Sequence, residues 1–200
     1  MLLPCLDKSK IEAGCDEAGR GPLAGPVFAA AVIWPADLYH GELRDSKLLS
    51  EKKRYILRDF IIENAVSYSV SMIDNEEIDK INILNASIKA MHIALRGLNQ
   101  SFDFILADGN KFRQFDSIEY KTIIKGDNKF LSIAAASILA KTFRDDYMIH
   151  IDSMHPEYNW KKNKGYPTRQ HIEAVKKYGI SGFHRKSFCE SYKYEQTFIF

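Results

Sequence analysis

A chain of 200 residues, 46% hydrophobic and 27% charged, has the composition of a soluble globular protein with one domain and a small appendage. No uncharged apolar run approaches the ~20 residues of a membrane span, the interrupted N-terminal stretch does not read as a signal peptide, and Cys5, Cys15 and Cys189 suit a reducing cytoplasm rather than a disulfide or zinc scaffold. The net charge of +2 divides unevenly: residues 160–186 carry eight bases and one acid, for +7, which leaves −5 on the rest of the chain.

In chain order, residues 10–16 and 26–34 read as strands joined by a glycine-rich turn. Residues 50–64 fit an amphipathic helix with Ser50 as its cap, and Val66–Ile73 alternates like a third strand. Asp74 and Glu77 form a capping pair that opens a helical stretch to about Leu98. Phe102–Ala107 and Lys121–Lys125 read as short strands, and the alanine-rich stretch Leu131–His150 is the clearest helix. Three early strands followed by helix and strand in alternation predict an α/β domain with a mixed sheet over 1–150. Short helices and loops are expected over 151–200, where the basic segment lies.

Residues 14–26, Gly-Cys-Asp-Glu-Ala-Gly-Arg-Gly-Pro-Leu-Ala-Gly-Pro, carry the densest chemistry. Carboxylate oxygens such as those of Asp16 and Glu17 are hard ligands of the kind Mg²⁺ or Mn²⁺ prefers. Gly19 and Gly21 let a backbone approach a ligand closely, and Arg20 between them offers a planar fork for phosphate. Metal, close backbone and phosphate together point to phosphodiester chemistry. Asp, Gly and Pro also make ordinary polar hairpins, but this run is longer and denser than a turn requires. Cys15, beside Asp16, reads as a small buried strand residue.

A two-metal site needs more than two carboxylates, because each ion keeps positions open for water and substrate. Asp108 stands where an apolar strand stops, a common ligand position in α/β sheets, although Asp-Gly-Asn alone is a turn. Ser137, Lys141 and Asp145 are spaced at i, i+4 and i+8 and share one helix face. Ala134–Ala136 would let that helix lie close against a sheet. Tyr166, in Asn-Lys-Gly-Tyr-Pro-Thr, offers a ring for stacking and a hydroxyl for hydrogen bonding, or a loop aromatic that plugs a crevice. His171 and His184 read as packing or substrate contacts rather than metal ligands. The basic segment is either a surface for a polyanion or a solvated helix face.

Taken in order from Glu12 to Phe188, these blocks resemble ribonuclease HII, the type 2 ribonuclease H family. The matches are the Asp16-Glu17 to Gly25-Pro26 run, Asp45-Ser46-Lys47-Leu48-Leu49-Ser50, the strand into Asp108-Gly109-Asn110, the block of Lys125-Gly126-Asp127, Ser132–Lys141 and Arg144-Asp145-Asp146, then Lys164-Gly165-Tyr166 and His184-Arg185-Lys186-Ser187-Phe188. The resemblance implies a ribonuclease H-like mixed five-stranded sheet flanked by helices, with a small C-terminal helical segment. It implies Asp16, Glu17, Asp108 and Asp145 as catalytic and metal-binding acids, with Asp146 the alternative to Asp145. Two Mg²⁺ or Mn²⁺ ions would activate a water and stabilise the leaving 3′-oxygen. The cut would fall 5′ of a ribonucleotide, in RNA–DNA hybrids or embedded singly in duplex DNA, during ribonucleotide removal. The backbone of Gly19, Arg20 and Gly21 with Tyr166 is implied at the 2′-hydroxyl, the Arg20 side chain, Lys47 and the 160–186 segment at the phosphates, and Ser137, Lys141 and Arg185 at the substrate.

Ribonuclease HIII fits less well, since it typically carries an added N-terminal domain and lacks the tyrosine. A junction resolvase or integrase-like nuclease would share clustered acids but cut all-DNA substrates. A binding module using the +7 segment would gain nothing from four repelling acids. Gln196–Phe200 loosely resembles peptides that dock on sliding clamps, against the alternative of a final strand or packed tail. A cytoplasmic monomer without a membrane partner is expected.

Overall fold

Val27–Ile33, Val-Phe-Ala-Ala-Ala-Val-Ile, is apolar throughout and buried throughout, as befits a strand covered on both faces. In the computed structural model, which describes residues 2–43, 46 and 49–192, it is the second of five strands. These are β1 (Glu12–Ala18), β2 (Val27–Ile33), β3 (Ser67–Ile73), β4 (Phe104–Asp108) and β5 (Glu119–Ile123), and they form one sheet in the order β3–β2–β1–β4–β5. β1, β2 and β3 pair antiparallel, whereas β1 with β4 and β4 with β5 pair in parallel. The long helices are α1 (Glu51–Asn64), α2 (Asn75–Arg96) and α3 (Leu131–Asp152), followed by the shorter α4 (Trp160–Asn163), α5 (Arg169–Tyr178) and α6 (Lys186–Cys189). The mixed sheet with flanking helices and the helical C-terminal segment are as the sequence leads one to expect. The fifth strand lies earlier than Lys121–Lys125, because Glu119–Ile123 is the stretch that registers with Phe104–Asp108.

Both predicted caps form: Ser50 accepts the Lys53 amide and Asp74 accepts the Glu77 amide. α2 is not continuous, however. Asn82 adopts φ 64° and its Oδ1 accepts the Asn85 amide at 3.1 Å, so it caps a second helical segment. The apolar spacing continues across this break, which is why the sequence reads as one helix.

α2 packs on one face of the sheet against Ala13, Cys15, Ile105 and Ala107. α3 takes the other face, with Ala135, Ala136 and Leu139 against Ala30 and Val32. Gly14 makes that approach possible, because a Cβ there would stand 2.5 Å from Ser132 Oγ. A third cluster joins Ala24, Met148 and Ile151 to Tyr158, Trp160, Ala174 and Val175, and this fastens the C-terminal helices to the end of α3. Among the described residues no helix is long and apolar enough to cross a membrane.

Candidate active site

Parallel pairing of β1 with β4 matches Cys15 to Ala107, so Asp16 and Asp108 come next on adjacent strands. Side chains alternate along a strand, and both acids therefore share the α3 face with Gly14 and Leu106. The Ser137 hydroxyl of α3 hydrogen-bonds Asp16 and stands 3.0 Å from Ser46 Oγ. Asp108 Oδ1 accepts the Gly126 amide at 2.6 Å. Glu17 turns towards α2 and lines a small cavity with Leu84, Ser87 and Asp108, and Arg20 donates to its Oε1 at 3.1 Å.

Burial pushes the Asp16 carboxyl well above the usual carboxylate range, and the charges of Glu17 and Asp108 push it further. Burial raises Glu17 as well, against the pull of Arg20. Three hard oxygen donors with mutually repelling charges fit a divalent cation, which would relieve that repulsion. Among the described residues no three acids, histidines or cysteines are gathered tightly enough to enclose an ion by themselves. The carboxylates instead line an open cleft of about 350 Å³, together with Gly19, Arg20, Gly21, Lys141 and Tyr166.

Two buried arginines shape the glycine-rich loop. Arg185 donates to the carbonyls of Gly25 at 2.9 Å, Arg20 at 2.9 Å and Gly19 at 2.6 Å. Arg144 donates to Pro26 at 3.0 Å, Lys164 at 3.0 Å and Ala24 at 3.3 Å. Gly19 has φ +95°, and a Cβ there would fall 2.0 Å from Arg144 Nε; only glycine satisfies both conditions. Burial lowers Arg144 to about 10 and Arg185 to about 9, so both remain cations at neutral pH.

Residues 13–191 match the family model described as ribonuclease HII. The chain belongs to the ribonuclease HII family. It is 56% identical over 188 residues to a ribonuclease HII of Parabacteroides distasonis, covering 94% of each chain. The ribonuclease H2 of Pyrococcus horikoshii OT3 superposes with a TM-score of 0.78 at 24% identity, over 92% of this chain and 97% of that one. Bst ribonuclease HIII in complex with Mn²⁺ superposes with a TM-score of 0.68 at 17% identity, over 88% of this chain and 64% of that one. These two likenesses speak to the fold. Membership in the ribonuclease HII family makes the chain a hydrolytic ribonuclease.

The structure brings Asp16, Glu17, Asp108, Gly19, Arg20, Gly21, Ser137, Lys141 and Tyr166 to the cleft. Asp145 departs from expectation. It is fully buried, the Lys141 ammonium donates to its Oδ1, and Arg54 lies 3.8 Å from its Oδ2. Two helical turns separate it from Ser137, about 12 Å along the axis, so it shares a helix face with Ser137 but not the Asp16 neighbourhood. Asp146 faces α1 instead, bonded to Tyr55 at 2.6 Å and to Arg58. Arg185 also departs from expectation: it is fully buried and serves loop carbonyls, so it presents nothing to a substrate. Lys47 and Gln196–Phe200 lie outside the described residues.

Two residues of the resembling block from Lys125 to Asp146 carry more than the sequence assigns them. Arg144 reads there only as the base before two acids. Asp127 is buried in the tight turn Gly126–Asn128, one residue from the amide that grips Asp108. Its signal was position: β5 runs parallel to β4, so the segment after it emerges at the same sheet edge as Asp108.

Proposed function

We propose that this chain hydrolyses the phosphodiester on the 5′ side of a ribonucleotide, in RNA–DNA hybrids and at single ribonucleotides embedded in duplex DNA. The products carry 5′-phosphate and 3′-hydroxyl ends, and the role is removal of ribonucleotides from DNA. One observation supports this most directly: a single cleft is lined by Asp16, Glu17 and Asp108 together with Gly19–Gly21 and Tyr166. A metal-dependent nuclease for plain DNA needs the first group and has no use for the second.

Asp16, Glu17 and Asp108 are the ligands for Mg²⁺ or Mn²⁺, which when bound supplies Lewis-acid activation of the attacking water and neutralises charge at the leaving oxygen. Ser137 orients Asp16, and the Gly126 amide orients Asp108. Asp145 acts as the counter-ion that holds Lys141, whose ammonium reaches the cleft as a phosphate contact. Asp127, buried one residue from the amide that bonds Asp108, is the fourth acid of this reading.

Arg185 donates to the Gly19 and Arg20 carbonyls, which fixes this stretch of backbone beside the cleft where a 2′-hydroxyl would meet it. The Tyr166 ring, 41% exposed, stands beside Gly21, where a Cβ would lie 3.6 Å from Tyr166 Cε1. A ribose 2′-hydroxyl placed between them distinguishes RNA from DNA. Tyr166→Ala should lower cleavage at a single embedded ribonucleotide by about tenfold or more, with little change in affinity for plain duplex. An equal loss in both measurements would make Tyr166 a structural residue.

A further inference from the structure

Tyr166 combines an exposed ring with a backbone held at three successive carbonyls. Lys164 C=O accepts Arg144 Nη1 at 3.0 Å, Gly165 C=O accepts the Leu23 amide at 2.8 Å, and Tyr166 C=O lies 3.0 Å from His171 Nδ1. Tyr166 C=O also takes the Thr168 amide at 2.7 Å. The His171 bond differs from the others in being conditional, because an imidazole nitrogen donates only in the right tautomer.

A second imidazole sets that tautomer. The Ser181 amide donates to His184 Nδ1 at 2.9 Å, so that nitrogen is unprotonated and the proton of His184 sits on Nε2. His184 Nε2 faces His171 Nε2 at 3.2 Å. Trp160 Nε1–H, which can only donate, meets the same His171 Nε2 at 3.0 Å. His171 Nε2 is therefore an acceptor whose one lone pair the two donors share, and the His171 proton lies on Nδ1, the atom that faces the Tyr166 carbonyl. Both rings are buried, at 0% and 1% exposure, and burial pushes both below the usual imidazole range, His184 to about 3. Neither lines the cleft, and no step derived above uses either of them. An imidazole present only for its bulk would not need a polar partner on each of its nitrogens.

We propose that His171, with its tautomer fixed by His184, is a positioning residue that holds Tyr166 against the glycine-rich loop and so sets discrimination between ribose and deoxyribose. This rests on the reading of Tyr166 as the 2′-hydroxyl contact, and the test separates the two. His171→Leu keeps bulk and removes the donor, whereas His171→Asn restores an amide donor at the Nδ1 position. Each variant, Tyr166→Ala, and the double variant Tyr166→Ala/His171→Leu would be assayed with Mg²⁺ on a duplex containing one ribonucleotide. Affinity for the all-DNA duplex and thermal melting would be recorded alongside.

His171→Leu should lower kcat by about tenfold with all-DNA affinity changed less than about twofold, and His171→Asn should recover most of the loss. In the Tyr166→Ala background His171→Leu should cost nothing further, since residues that act through one another are not additive. If His171→Leu does not melt cooperatively, His171→Gln carries the same comparison, because its amide reaches only the Nε2 position. A full, additive loss in the Tyr166→Ala background, or no rescue by Asn, would overturn the positioning role. Unchanged cleavage by Tyr166→Ala alone would overturn the reading of Tyr166 itself.

Discussion

At Asp16, burial and two neighbouring carboxylates all oppose ionisation, so this side chain gains the most from a cation. Asp16→Asn should lower single-turnover cleavage by about 1,000-fold, as loss of several kcal/mol of metal-supplied stabilisation requires, while duplex affinity holds or rises with the removed charge. Unchanged turnover would remove Asp16 from the ligand set. Asp108→Asn should behave likewise, and Asp145→Asn should be milder, since the Asp145 carboxylate serves Lys141 and Arg54 rather than the cleft. The acids on strands were legible because alternation and strand ends fix both the face and the position of a residue. Asp145 was not, because helical spacing tells which residues share a face but not how far along that face a cleft extends. Arg185 was misplaced for a related reason. A basic residue in a basic segment looks solvated, and nothing local announces three buried carbonyls awaiting it.

Among the elements, the glycine-rich loop between β1 and β2 was recognisable by composition, and its shape comes from elsewhere. Arg144 reaches it from α3, and Arg185 from the segment before α6. Between them they satisfy loop carbonyls that would otherwise be buried without partners, a cost of about 1–3 kcal/mol each. Arg185→Lys replaces a fork by a point charge that cannot reach all three carbonyls. It should lower the melting temperature by several degrees and weaken cleavage of every ribonucleotide substrate; a melting curve and activity like the parent's would contradict the clamp. The break in α2 at Asn82 escaped the sequence because the apolar spacing runs on across it. Asn is among the residues that tolerate positive φ, yet a lone Asn is too common to flag a kink.

Across the whole molecule, the charge division misleads in part. Of the basic residues between 160 and 186, Arg185 is buried, the Lys164 side chain is 13% exposed with Glu51 at 3.6 Å, and Arg169 is paired with Glu173 at 2.8 Å. The +7 of the sequence is therefore partly scaffold. The buried imidazoles give global stability a pH dependence. His184 titrates near 3 when folded, against an ordinary 6.5, with Ser181, His171, His155, Tyr158 and Trp160 around it. The unfolded chain takes up that proton first as pH falls, so the contribution is complete above about 6.5 and shrinks steadily towards 3. The stability gap between parent and His184→Gln should narrow as pH falls from 7 to about 4.5, measured by denaturant melts at each pH. A gap that stays constant would mean His184 is not held neutral.

The most direct measurement is to map the cut in a DNA duplex containing one ribonucleotide, in Mg²⁺, beside an all-DNA duplex and an EDTA control. A single break immediately 5′ of the ribonucleotide, with 5′-phosphate and 3′-hydroxyl ends and nothing in either control, is what the carboxylates, Gly19–Gly21 and Tyr166 lining one cleft predict. Cleavage of the all-DNA duplex, cleavage that survives EDTA, or intact substrate even with Mn²⁺ would contradict it.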